Sequence, residues 1–212
     1  MSDDGTLVDG LERYGFEFDL DQVELLDCYR RALWEWNEKL NLTRHTTIEK
    51  FVGRDVVDSI ALEPFLEPGC RVLDVGTGGG VPGMILSIAR PDLQITVCES
   101  VAKRARAALA IRDQAKLDVR VEHARGEQLL EGGNFDILVA RAVAPLVKIL
   151  RWLGPHWDSF RELLLIKGPG WVEERRAARE AGLLAELELR KLAEHQSPQT
   201  GASSVVLRVR PK

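Results

Sequence analysis

DVGTGGGVPG, residues 74–83, follows the apolar run RVLDV at 71–75 and is the densest glycine stretch in the chain. It reads in two registers. As Gly78, Gly80 and Gly83 it is G-x-G-x-x-G, the pattern of dinucleotide-binding loops. As Asp74, Gly76, Gly78 and Gly80 it is an acidic residue closing a strand, followed by alternating glycines. Both registers describe a turn at the carboxyl end of a strand, where open α/β sheets bind their ligands. Glycine there permits positive φ and lets the backbone approach a ligand with no Cβ in the way. Pro82 suits the first turn of a helix, where a missing N–H costs little. A helix is therefore expected to begin near Val81, after the whole of Gly76 to Gly80, with Gly83 packing inside it.

Working outward, short apolar runs alternate with helical stretches, the βαβ signature of a parallel sheet buried on both faces. Strands are expected at 71–75, 93–99, 118–124, 135–140 and 160–167. Helices are expected from the glycines to about Ala89, over 101–115, at 126–130, over 146–153 and from Trp171 to about Gly182. Two last runs, 183–192 and 204–210, flank the loop HQSPQTGAS and are close enough to pair antiparallel, which a purely doubly wound dinucleotide fold does not need. Upstream, Val23, Leu26, Leu33, Trp36 and Leu40 line one face of a helix over 22–40. A second helix starts from Thr47 as N-cap and carries Ile48, Val52, Val56 and Ile60 at spacings of four, until Pro64 and the Pro68-Gly69 pair end it. The chain thus divides into a helical cap, 1–68, and one compact α/β unit, 69–212.

With 212 residues, 45% hydrophobic and 29% charged, the composition is that of a soluble globular protein. No apolar run approaches the roughly 18 residues of a membrane span. The start MSDDGTLVDG lacks a secretory signal, so a cytoplasmic protein is expected. Cys28, Cys70 and Cys98 are an odd number without a C-x-x-C pair, against both a disulfide framework and a zinc cluster. His45, His123, His156 and His195 have no metal-ligand spacing and read as structural or surface residues; no metal is expected. The net charge of −4 is uneven: residues 1–27 hold nine acids and one base, so the remainder carries +4. An acidic N-terminus, read as a solvated segment, can hide a basic working surface from the average.

Glu99 closes the second strand, where a carboxylate can accept both ribose hydroxyls of a nicotinamide dinucleotide or of S-adenosylmethionine. Arg141 follows the fourth strand and is always charged, so it cannot be a base; it suits a cofactor carboxylate, guanine O6 or a phosphate. Lys103, Arg104 and Arg106 open the second sheet helix, and Lys148, Arg151 and Lys167 lie beyond strands four and five. On the active-site face they could track nucleic-acid phosphates, although Arg106 and Arg151 read better as solvated helix charges. Arg54 and Asp58 sit one turn apart and can pair.

Seven segments in order resemble the bacterial family that methylates guanine N7 in 16S ribosomal RNA, also called glucose-inhibited division protein B. They are W-N-E-K-L-N-L-T (36–43), R-D-V-V-D-S (54–59), D-V-G-T-G-G-G-V-P-G (74–83), E-S-V-A-K-R (99–104), A-R-G-E (124–127), A-R-A (140–142) and L-I-K-G (165–168). The resemblance implies a class I methyltransferase fold, Rossmann-like, with a mostly parallel seven-stranded sheet ending in an antiparallel hairpin, and S-adenosylmethionine as donor. It implies cofactor contacts at Gly76, Val81, Gly126, Glu127 and Arg141, and Thr77, Gly78 and Glu99 complete the set of cofactor-binding candidates. Asn41, Thr43, Arg54, Asp58 and Ser59 would line the rim, and Asn41, Arg54 and Asp58 with Lys103, Arg104 and Lys167 are the RNA-facing candidates. The partner implied is ribosomal RNA or the small subunit, met by a monomer away from any membrane. Two departures stand out: the family usually has His where this chain has Asp55, and often Pro where it has Gly79.

Guanine N7 keeps an in-plane lone pair outside Watson–Crick pairing, so its methylation needs no general base. The sequence agrees by omission, lacking N-P-P-Y, D-P-P-Y and a Pro-Cys nucleophile. No residue is assigned as catalytic, and positioning carries the reaction. The competing readings are an NAD-dependent oxidoreductase, which lacks a recognisable hydride-acceptor site, and a non-catalytic RNA-binding module.

Overall fold

A computed structural model describes residues 5–196, 201 and 203–212; most of the expected loop HQSPQTGAS lies outside the described residues. The cap comprises α1 (Leu7–Arg13), α2 (Leu20–Leu40), α3 (Ile48–Lys50), a π-helical turn (Phe51–Val56) and α4 (Val57–Ile60). The α/β unit then runs β1 (Arg71–Val75), α5 (Gly83–Ala89), β2 (Gln94–Cys98), α6 (Ala102–Ala115), β3 (Arg120–Glu122), α7 (Gly126–Gly132), β4 (Ile137–Arg141), α8 (Leu146–Leu153) and β5 (Glu162–Lys167). It ends in α9 (Trp171–Glu180), β6 (Leu187–Gln196) and β7 (Ser203–Pro211). The sheet order is β3-β2-β1-β4-β5-β7-β6. β1 to β5 are parallel, and β7 lies antiparallel between β5 and β6.

The order reverses between β1, which neighbours β2, and β4. The carboxyl ends of those strands therefore form the crevice where a ligand can reach backbone N–H groups. β1 and β4 are buried almost throughout because helices cover both faces of the sheet.

α1 corrects the reading of the N-terminus as merely solvated. Thr6 and Asp9 form a capping box that satisfies the first free N–H groups, and Leu7 and Leu11, four apart, are buried. α2 begins at Leu20, two residues before the expected start, because Asp19 and Gln22 make a second capping box. Thr47 caps α3 as expected, its hydroxyl accepting from the Lys50 N–H. Steps of four on a 3.6-residue helix drift about 40° each. The wider π turn offsets part of that drift and keeps Ile48, Val52 and Val56 buried, while Ile60 slips to half-buried.

Most boundaries differ from expectation by a residue or two, and four elements differ in ways that bear on the site or the sheet edge. α5 begins at Gly83 rather than Val81, with Pro82 just ahead of it, so the glycine loop is longer than the proline suggested. β3 and β5 are shorter than the apolar runs 118–124 and 160–167. β6 covers 187–196 rather than 183–192; it is the edge strand, half-exposed along its length, so no buried face fixed its ends.

Cap and sheet share one core. Leu26, Leu33 and Phe51 belong to the same apolar cluster as Val72, Ile85 and Ile137. Gly79 lets α2 down onto the loop, since a Cβ there would sit 2.7 Å from Leu33 Cδ1. The buried Tyr29 hydroxyl donates to the Gly79 carbonyl at 2.9 Å, and burial raises its pKa well above the ordinary value. Among the described residues no helix is long and apolar enough to cross a membrane.

Candidate active site

The glycine loop is held by the strands on either side. The N–H groups of Gly76 and Thr77 both donate to the Cys98 carbonyl, at 2.9 and 3.0 Å, tying the loop to the end of β2. Asp74, fully buried, accepts from Thr77 Oγ1 at 2.6 Å and from the Gly83 N–H at 2.9 Å. Its charge therefore bridges the two ends of the loop. Burial pushes its pKa up to about 6, against the lowering effect of those two hydrogen bonds. Gly76 has φ +71, and a Cβ there would meet Val143 Cγ2 at 2.3 Å. Gly78, with φ +58, faces open space. Gly76 is required by contact and conformation together, whereas Gly78 is favoured by conformation alone.

Two cavities open at this end of the sheet. The first, about 320 Å³, is lined by Gly76, Glu99, Val101, Gly126, Glu127 and Trp152 among others. Glu99 is held by the Val101 N–H at 2.8 Å. Cys98 also lines it, but burial pushes its thiol to about 12, so it is no thiolate nucleophile at neutral pH. The second cavity, about 290 Å³, is lined by Thr43, His45, Arg54, Asp58, Thr77, Gly78, Val81 and Lys167 among others. Gly76, Arg141 and Ala142 belong to both walls. A group lying across them would reach from one cavity to the other.

Arg141 projects from the end of β4 into a cluster of acids from the cap. Its Nη1 lies 2.7 Å from Asp55 Oδ1 and 3.3 Å from Asp58 Oδ2. Arg54 Nη2 stands 4.0 Å from Asp58 Oδ2, so the expected Arg54–Asp58 pair forms at the limit of contact. Asp55 also meets His45 Nδ1 at 2.7 Å, and Asp58 meets His195 Nε2 at 2.8 Å. Ser59 donates to the Asp55 carbonyl at 2.7 Å. Burial pushes Asp58 upward, but the His195 hydrogen bond and the charges of Arg141 and Arg54 outweigh it, leaving its pKa below the ordinary value. Burial likewise depresses Arg141, and the two carboxylates more than restore it.

The cavities thus gather Gly76, Thr77, Gly78, Val81, Glu99, Gly126, Glu127 and Arg141, with Arg54, Asp58, Arg104 and Thr43. Asn41 and Lys103 are exposed and line neither. Asn41 instead ends α2 in the left-handed conformation at φ 49. Lys167 is buried, its ammonium donating to the Ala144 carbonyl at 2.6 Å and to Glu174 at 2.8 Å, so its charge is committed inside the fold rather than offered to a phosphate. Sequence reasoning missed Val143, Trp152 and the histidine partners. Among the described residues no group of three or more His, Cys, Asp or Glu could hold a metal.

The antiparallel β7 between β5 and β6 departs from the all-parallel 3-2-1-4-5-6 order of dinucleotide folds. The sheet, its glycine loop and Glu99 define the class I S-adenosylmethionine-dependent methyltransferase fold. Solved structures share it: a mutant of MtNAS in complex with S-adenosylmethionine has TM-score 0.57 at 16% identity, covering 85% of this chain and 73% of that one. TrmN from Thermus thermophilus has TM-score 0.54 at 18% identity, covering 74% of this chain and 49% of that one. The chain belongs to the rRNA small subunit methyltransferase G (GidB) family, whose model matches residues 22–200. It is 48% identical to the Ribosomal RNA small subunit methyltransferase G of Rhodopirellula baltica, over 86% of this chain and 79% of that protein. The protein of the same name from Nitrosococcus oceani is 33% identical, over 96% of this chain and 92% of that protein.

Proposed function

We propose that this protein transfers a methyl group from S-adenosylmethionine to N7 of a guanine in 16S ribosomal RNA. The observation that carries the reading is the junction of two cavities at Gly76, Arg141 and Ala142, in a chain of the small-subunit methyltransferase G family. In the first cavity Glu99 would accept the ribose hydroxyls, and Gly126 and Glu127 would line the adenine side. Gly76 is the cradle, where a Cβ would take space the loop has surrendered to Val143. Bound S-adenosylmethionine would supply an electrophilic methyl, which the guanine N7 lone pair would take as the C–S bond's electron pair stayed on sulfur.

No proton leaves N7, so the site needs no base, and none is assigned. What the residues supply is alignment and exclusion of water. Thr77, Gly78 and Val81, expected from the sequence as cofactor contacts, line the second cavity instead of the first and would shape it against the base, with Thr43, Arg54 and Asp58 at its rim. Arg104, exposed beside the first cavity, and Lys103, exposed on the same helix, would meet phosphates.

The test is transfer of labelled methyl groups to small subunits and to free 16S RNA, with calorimetry for S-adenosylhomocysteine and NAD. Label in RNA with binding of the homocysteine analogue alone supports the reading. RNA binding without label would favour the non-catalytic module, and NAD binding the oxidoreductase.

A further inference from the structure

Arg141 raises an electrostatic difficulty. Methyl transfer to N7 removes positive charge from sulfur and places it on the guanine ring. A bare guanidinium in the wall of the receiving cavity would oppose that movement, more strongly in a partly dry site than in water. The cap supplies the remedy. Asp55 and Asp58, 0% and 2% exposed, lie three residues apart at the join of the π turn and α4, and both reach the same Nη1 of Arg141. Each is braced from outside by a histidine on another element, His45 on the α2–α3 connection and His195 on β6. Arg54 and Arg141 bring two positive charges, and the two aspartates bring two negative ones.

We propose that Asp55 and Asp58 are positioning residues that act through Arg141, fixing its guanidinium in the wall between the cavities and offsetting its charge so that the second cavity can hold a base turning cationic. This rests on the methyl-transfer reading above. His195 is a brace at one remove, orienting Asp58 from the sheet edge. The π turn carries Asp55, and such turns recur at functional sites.

The experiment is a double-mutant cycle on the full chain, with kcat and KM measured on small subunits and folding followed by circular dichroism. Asp58→Asn is expected to lower kcat about tenfold or more with a smaller change in KM for the subunit, and Asp58→Glu to recover part of the loss. In an Arg141→Ala background, Asp58→Asn is expected to change kcat by less than about twofold, since the residue it serves is gone. His195→Gln, which exposes no buried charge, carries the same test if Asp58→Asn does not fold: a smaller kcat loss that vanishes in the Arg141→Ala background. Losses that multiply in the double variants, or an unchanged kcat in the singles, overturn the inference. A wild-type protein that methylates no RNA refutes the underlying reading instead, so the two failures are distinguishable.

Discussion

Arg141 carries the most consequence of any single side chain, because among the described residues it is the one charged group common to both cavity walls. Arg141→Ala is expected to lower methyl transfer by about a hundredfold while the far-UV spectrum stays that of the wild type. Near-normal turnover in the folded variant would remove it from the site. Asp74 makes a second prediction at this scale. Burial raises its folded pKa to about 6 from an ordinary 3.8. Between those values the folded state holds more protons than the unfolded one, so this group's contribution to stability falls as pH rises through about 4 to 6 and is least favourable above. Wild-type stability measured against Asp74→Asn should therefore improve by about 2 kcal/mol as pH drops from 7 to 4. Urea unfolding at each pH checks it, and a difference that does not vary with pH contradicts the assignment. Asn would keep an acceptor for Thr77 and Gly83, which isolates the titration from the hydrogen bonds.

At the scale of elements, Gly83 decides how α5 meets the sheet. A Cβ there would lie 2.6 Å from Val97 Cγ1 and 2.9 Å from Asp74 Oδ2. Alanine is the better helix former by about 1 kcal/mol, yet overpacking of this kind costs about 1–3 kcal/mol. Gly83→Ala is thus expected to destabilise, with a lower urea midpoint and an unchanged slope; an equal or higher midpoint would show that the close approach is dispensable. The packing role of Gly83 was legible in the sequence, since the alternating-glycine register left it inside a helix. The exact start of that helix was not, because Pro82 is compatible with either side of the boundary. β1 and α8 were read to the residue, their apolar patterns being strong and bounded by turn residues. β6 slipped by four residues, as an edge strand with no buried face to anchor it. α1 was hidden by the surrounding charge, although Leu7 and Leu11 carried its spacing. In the site, Asp58 and Arg141 were legible as motif residues. His195 was not, lying 137 positions from Asp58 and joined to it only by the folding of β6.

For the whole molecule, the cap is divided from the sheet in chain order but not in packing. Leu26, Leu33 and Phe51 complete the cluster that includes Val72 of the sheet and Ile85 of α5, and Tyr29 anchors the loop at Gly79. A chain of residues 69–212 would expose that cluster, so it is expected to lack a cooperative thermal transition in near-ultraviolet circular dichroism, where the full chain shows one. A sharp transition in the shortened chain would mean that the two parts fold independently. The same coupling places the aspartates of the cap against the arginine of the sheet, so the second cavity, lined from both parts, forms only when they fold together. The most direct test of the account is the chemical identity of the product. Small-subunit RNA from a strain lacking this protein, incubated with it and S-adenosylmethionine, should yield a guanine that cleaves after borohydride and aniline treatment, the signature of N7 methylation. Methylation on any other atom, or no methylation of RNA or subunit, would contradict it.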